Sequence, residues 1–81
     1  MDPKIHVTIK NRESTFYDGD VSAISSYNDV GLFDILPMHE NFISLIKDKV
    51  ILHKEDAQKE FKIDKGVLKV RDNKVNIYLD L

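Results

Sequence analysis

Period-two alternation of β-branched with polar residues is the feature that most limits how this chain folds. Ile5, Val7 and Ile9 alternate with His6, Thr8 and Lys10, as in a strand with one buried face. The pattern returns where Phe61 and Ile63 alternate with Glu60, Lys62 and Asp64, and again at Val75, Ile77 and Leu79. Ile and Val together number 16, against seven Leu, two Ala and two Met. β-branched side chains lose rotamer freedom in helices and pack well on a pleated surface. Pattern and composition agree on strands.

Turn signals divide the rest. Asn11-Arg12-Glu13-Ser14 reads as a polar turn, and Asp18-Gly19-Asp20 as punctuation after the extended Thr15-Phe16-Tyr17. Val21 to Ser26 is extended, with either side able to face inward. Tyr27 to Gly31 reads as a loop, and Leu32 to Leu36 as a short strand ended by Pro37, which has no ladder donor. Asn41 to Ile46 is apolar on both faces and is expected to be central. Lys47-Asp48 reads as a two-residue turn and Lys49 to His53 as the returning strand. His53 to Lys59 is the one helical candidate, but Ala57 is its only apolar residue, so it reads as a charged hairpin tip. Gly66 marks a tight point, and Arg71-Asp72-Asn73-Lys74 is a strong hairpin turn because Asp and Asn tolerate left-handed geometry. The expected architecture is all-β: an antiparallel β-sandwich or flattened barrel of about ten short strands.

The 81 residues allow one domain over 1–81. The net charge of -2 and the lack of any Lys/Arg-rich stripe exclude a nucleic-acid binder. The absence of cysteine excludes disulfides, thiolate catalysis and cysteine-ligated zinc. Apolar runs such as Val50-Ile51-Leu52 fall far short of the roughly 20 residues needed to span a bilayer. The start, Met1-Asp2-Pro3-Lys4, has no signal-peptide core, so the expected location is cytoplasmic, without membrane insertion.

Nothing in the spacing points to catalysis, a metal or a cofactor. His6, His39 and His53 lie too far apart to signal a zinc shell, and His6 and His53 read as solvated strand positions. The serines form no G-x-S-x-G elbow, although a Ser–His–Asp set from distant strands is not demanded or forbidden by spacing. Asp18 and Asp20 read as exposed turn carboxylates near their ordinary pKa. Gly19, Gly31 and Gly66 are isolated, so no phosphate loop exists. Most aromatics read as core residues, with Tyr27 the best candidate for exposure.

Two segments say more than any catalytic motif. Gly31-Leu32-Phe33-Asp34-Ile35-Leu36-Pro37-Met38-His39-Glu40-Asn41-Phe42 resembles the G-x-[FL]-G-[IV]-[LY]-P-G-H-A-P-[LF] segment of the epsilon subunit of F-type ATP synthases, called delta in mitochondria. Lys65 to Asp80 is similar to that family's G-G-[FI]-[LV]-E-V-x-[DP]-[NG]-x-V-[TN]-[VI]-L-[AT]-[DE] ending, and Phe16 to Ile24 loosely matches a third stretch upstream. The resemblance implies a ten-stranded β-sandwich without an active site or cofactor. It also places Val21 and Ile24 at a bend. The implied role is that of a rotor component on the gamma subunit and the c-ring, coupling proton or sodium ion flow to ATP synthesis. It would lie peripheral to the inner face of the membrane through that complex. By position, Leu36, Pro37, His39, Asn41, Phe42 and Ser44 fall on the implied gamma side, and Asp29, Val30, Gly31 and Leu32 on the c-ring side. His39 reads equally as an interface residue or as a cap on the turn after Pro37.

Three departures qualify the likeness. Asp34 and Met38 replace family glycines, and Leu32 stands where an acidic residue is common. Neither Asp34 nor Met38 has glycine's freedom at positive φ, so either the loop or the partner surface is expected to differ. The chain also stops at Leu81, before the family's helical hairpin, so the expected subunit lacks the inhibitory arm. A stand-alone β-sandwich that binds other proteins or itself is the alternative.

Overall fold

The structure, a computed structural model, describes residues 3–79. Seven strands are present among them: β1 (Ile5–Lys10), β2 (Thr15–Val21), β3 (Ala23–Asn28), β4 (Gly31–Ile35), β5 (Phe42–His53), β6 (Gln58–Arg71) and β7 (Lys74–Leu79). They form one sheet in the order β2-β1-β7-β6-β5-β3-β4. The all-β expectation holds, with two corrections. The sheet is mixed, because β1 and β7 pair in parallel, with Val7 opposite Val75 and Ile9 opposite Ile77. The strands are also fewer and longer than about ten short ones.

The difference lies at Asp48. Lys47-Asp48 is not a turn: β5 runs through it for 12 residues and β6 beside it for 14. The register shifts between Lys47 and Lys49, and Asp48 takes a φ of 71°. Asp48 alone stands opposite Ile63 and Asp64, so β6 carries the extra residue of a β-bulge, which bends a strand without ending it; Asp adopts the left-handed region more readily than most residues. Bent there, the two long strands each contribute to both halves of the folded sheet. The turn signal read at Asp48 was real, but its outcome was a bend.

Connectivity shows how far the sheet curls. Only Ser22 separates β2 from β3, yet four strands lie between them in the sheet. The sheet must fold back on itself for one residue to make that link. Tyr17 of β2 accordingly packs edge-on against Phe61 of β6, with ring centroids 6.3 Å apart. Val21 and Ile24, on either side of Ser22, are both buried.

One face of the folded sheet encloses the core. Ile5, Val7, Ile9, Leu68, Val70, Val75 and Ile77 meet Ile24, Ile35, Val50 and Leu52 there. The alternation along β1 (Ile5, Val7, Ile9 in; His6, Thr8, Lys10 partly exposed) matches the period-two reading. No aromatic is fully buried among the described residues; Tyr17, Phe33, Phe42 and Phe61 ring the aliphatic centre. Tyr27 is half-buried, whereas Phe16 and Tyr78 are each 46% exposed.

The turns use their side chains. Asn11 Oδ1 accepts from the N–H groups of Glu13 and Ser14, closing the β1–β2 turn. Asp72 and Asn73 both have positive φ, at 51° and 62°, which gives the β6–β7 hairpin the twist of its strands. Lys54 and Ala57 close the charged β5–β6 tip through reciprocal backbone bonds. Asp18-Gly19-Asp20 lies inside β2 and does not interrupt it: Asp18, Gly19 and Asp20 pair with Thr8, Val7 and His6.

Candidate interaction surface

The outward face of β5, β6 and β7 carries apolar residues where strand alternation calls for polar ones. Ile43 and Leu45 are 65% and 73% exposed. Leu45 pairs with Val67, Val67 with Tyr78, and Tyr78 with Lys10, so these side chains form one cross-strand row. Lys10 Nζ lies 5.2 Å from the centre of the Tyr78 ring and closes the row with a cation. The two-sided apolarity of Asn41–Ile46 points to a central position, but Phe42 to Ile46 pair with β6 alone, since β3 meets β5 only from Lys47 onward, and the outward face of this segment lies open. Contiguous apolar rows on a sheet exterior mark contact surfaces.

The segment expected to meet partners borders this row. Asn28 Oδ1 accepts from the Val30 and Gly31 N–H groups and ties down the Asp29–Val30 turn. Gly31 has a φ of 135°, which only glycine adopts freely. Val30 and Leu32 stand out from this turn, at 95% and 60% exposed, and Asp29 lies 3.6 Å from Lys47 Nζ. Farther along, Leu36 is exposed, Pro37 is half-buried, and the His39 N–H donates to the Leu36 carbonyl to close a turn. The His39 ring hydrogen-bonds the Glu40 carbonyl at 2.7 Å and meets Phe42 edge-on, so it caps and braces this turn. Asn41 Oδ1 accepts from the Asp72 N–H. Phe42 turns inward against Phe33, and Ser44 Oγ accepts from Asn28 Nδ2. Leu36 therefore faces outward while Phe42 and Ser44 brace the surface from within. Ile43 and Leu45, of the opposite parity, are what the strand presents.

The two positions that depart from the glycine pattern differ. Met38 has a φ of 66°, the left-handed conformation that a glycine would relieve. Asp34 lies in extended β4, opposite Ser25, and needs no glycine.

Two polar clusters lie elsewhere. The His6 ring lies between Asp20, 2.8 Å from Nδ1, and Asp18, 2.7 Å from Nε2. Its hydrogen bonds to Asp20 and then Asp18 raise its pKa above 6.5. The bonds from His6 and then Thr8 lower that of Asp18. The turn reading had Asp18 unperturbed; cross-strand placement opposite β1 overturns it. The carboxylates lie at opposite ends of the ring and converge on no common point. Among the described residues, no group of three or more His, Cys, Asp or Glu side chains is arranged to hold a metal ion.

Ser25, His53 and Asp34 meet on the outer face of β3, β4 and β5, a set that spacing alone did not demand. Ser25 Oγ donates to Asp34 Oδ1 at 2.5 Å and lies 2.8 Å from His53 Nε2. The hydroxyl has one proton, and it goes to the carboxylate, which only accepts. Oγ must then accept from the His53 Nε2–H. A serine nucleophile needs the reverse, an unprotonated imidazole nitrogen taking its proton while the carboxylate orients the ring. This arrangement is built for hydrogen bonding, not acyl transfer.

Among the described residues no helix is long and apolar enough to cross a membrane. Comparison with known proteins agrees with the folded sheet. The ATP synthase epsilon chain of Leptospira borgpetersenii serovar Hardjo-bovis is 28% identical over 78 residues, covering 95% of this chain and 61% of that protein. The epsilon chain of Leptospira interrogans serovar copenhageni is 24% identical over the same proportions. The chain thus spans about three fifths of the length of these curated relatives. A chain of the Euglena gracilis mitochondrial ATP synthase (OSCP/F1/c-ring) superposes with a TM-score of 0.86 at 20% identity, covering 94% of this chain and 50% of that one. One from the Tetrahymena thermophila mitochondrial ATP synthase central stalk/c-ring has a TM-score of 0.78 at 15% identity, covering 96% and 64%. At such identities the superpositions establish the fold. The sequence itself matches, over residues 4–80, the family described as ATP synthase, Delta/Epsilon chain, beta-sandwich domain, and this chain belongs to that family.

Proposed function

We propose that this domain is a non-catalytic part of the central stalk of an F-type ATP synthase. It docks on the gamma subunit through the side that runs from Leu36, Pro37 and His39 along the Asn41–Leu45 strand. The Asp29–Leu32 turn approaches the c-ring, and the domain helps couple proton or sodium ion flow to ATP synthesis from the inner face of the membrane. The observation that carries this reading is the family match over residues 4–80. The exposed Ile43 and Leu45, the latter in one row with Val67 and Tyr78, support it, because an apolar strip on a sheet exterior favours burial against a partner. Phe42 and Ser44 hold that strip in place from beneath.

The test is direct binding of the whole chain to the gamma subunit of the same source. A complex with micromolar or tighter affinity is the expected result; no complex at tens of micromolar gamma rejects the reading. The Leu45–Val67–Tyr78 row equally suits a second copy of the chain, the stand-alone or self-associating alternative. Sedimentation of the isolated chain separates the two: a dimer that excludes gamma favours the alternative.

A further inference from the structure

The outer face of β3, β4 and β5 holds a second feature, which shares Leu32 and Leu36 with the surface assigned above to the stalk but does not rest on that reading. Leu32, Leu36, Tyr27, Ala23 and Ile51 wall a depression of about 410 Å³ with Ser25, Asp34 and His53 at its centre. We propose that this depression is a receptor for a basic side chain, lysine or arginine, carried by a partner protein.

The argument begins with the direction of the hydrogen bonds. His53 Nε2–H donates to Ser25 Oγ, and Ser25 donates to Asp34 Oδ1. Gln58 Nε2 stands 3.2 Å from His53 Nδ1 and holds the ring from behind. Donors thus run one way along the chain and end on the Asp34 carboxylate. Ser25 is only 5% exposed, so the middle of the relay is fixed by the sheet. Asp34 is exposed, and among the described residues it forms no ion pair with a lysine, arginine or histidine. Glu13, Glu40, Asp48, Asp56 and Asp64 likewise form none, but Asp34 differs from them in standing among apolar walls with a buried serine fixed on its carboxylate.

The walls complete the complementarity. Leu32 and Leu36 flank Asp34 at its i−2 and i+2 positions on the same face of β4 and its extension, at 60% and 58% exposed. Ile51 and Tyr27 close the other side. Lysine and arginine lay their methylene stems along apolar surface and place the charged head on a carboxylate. A purely apolar occupant would desolvate the Asp34 carboxylate with only the Ser25 hydroxyl to bond it and no countercharge, which is unfavourable. An anionic occupant would be repelled.

The experiment uses the full 15N-labelled chain, titrated with Nα-acetyl-lysinamide and Nα-acetyl-argininamide, with Nα-acetyl-norleucinamide as the uncharged control. The expected result is saturable shifts of the Ser25, Asp34, Ile51 and His53 amides with the basic probes, and none with norleucinamide at equal concentration. Asp34→Asn keeps an acceptor for Ser25 and is expected to weaken the basic probes about three- to ten-fold, the loss of one charge-assisted contact. Matching spectra away from residues 23–36 and 51–53 show that the variant is folded. Shifts that are absent, that appear equally with norleucinamide, or that persist unchanged in Asp34→Asn overturn the proposal. No outcome depends on gamma, so the stalk reading stands or falls separately.

Discussion

Met38, in the left-handed conformation, donates its backbone N–H to Asn73 Oδ1 at 2.7 Å. Asn73 in turn donates through Nδ2 to the Lys4 carbonyl at 3.0 Å. One asparagine, itself at positive φ in the β6–β7 turn, thereby ties the loop after β4 to the start of β1. The loop that carries Leu36 and His39 hangs on this clasp.

Two substitutions probe it in opposite directions. A non-glycine residue in the left-handed region costs about 1–2 kcal/mol, partly offset by glycine's larger unfolded-state freedom. Met38→Gly is therefore expected to stabilise the domain by about 0.5–1 kcal/mol. Asn73→Ala removes both side-chain bonds and the residue type best suited to its φ, and is expected to destabilise by about 1–2 kcal/mol. Urea unfolding of both variants, with unchanged m-values, checks the pair; a destabilised Met38→Gly contradicts the strain argument.

Gly66 has no room for a methyl group. A Cβ there would lie 2.9 Å from the Tyr78 carbonyl oxygen and 3.3 Å from Leu79. Backbone cannot yield as a side-chain tip does, so Gly66→Ala is expected to destabilise by about 1–3 kcal/mol. At Gly19 the added carbon would meet the Tyr17 ring at ordinary distances of 3.5 Å and more. Thermal unfolding should therefore separate Gly66→Ala clearly from Gly19→Ala.

The His6 cluster makes stability depend on pH in a defined direction. The raised His6 pKa means that its contribution is fully present below 6.5 and is lost as pH rises through the higher folded value. The lowered Asp18 pKa means that its contribution is present above 3.8 and is lost as pH falls through the lower folded value. The pair thus stabilises most between these limits, modestly because it is solvent-screened. Following the His6 ring proton by NMR should give a midpoint above 6.5 that falls towards it in Asp20→Asn and Asp18→Asn. An unmoved midpoint refutes the assignment of cause.

Leu45 separates binding from folding. Because it is 73% exposed, Leu45→Glu is expected to change stability by less than about 0.5 kcal/mol. If gamma docks on this row, the same change should weaken the complex about ten-fold or more. Calorimetric titration of gamma into both proteins decides it: equal affinities remove Leu45 from the interface.

Much of this fold was legible in the sequence because alternation encodes burial directly: Ile5, Val7 and Ile9 all face the core. The hairpin at Asp72-Asn73 was equally plain, since few residue pairs accept two successive positive φ values. Asp48 misled because a residue at positive φ suits both a bulge site and a tight turn; only pairing on both sides, out to Gln58 and Val70, distinguishes them. The side that Phe42 faces was not legible, because two apolar parities in one strand do not say which points inward; its contacts with Phe33 and His39 show it in three dimensions. The Ser25–Asp34–His53 cluster was invisible for a simpler reason. Its members lie 9 and 28 residues apart and meet only through strand register.

The parallel pairing of β1 with β7 has a consequence for the order in which the molecule is made. The first strand finds its inner neighbour only after Lys74 to Leu79 has been synthesised. Until then Ile5, Val7 and Ile9 have β2 on one side and an open edge on the other. Contacts of such long sequence separation slow folding, because loop closure must precede the stabilisation they bring. An emerging chain is therefore expected to form the β5–β6 hairpin early and to complete its core last, when β1 and β7 pair.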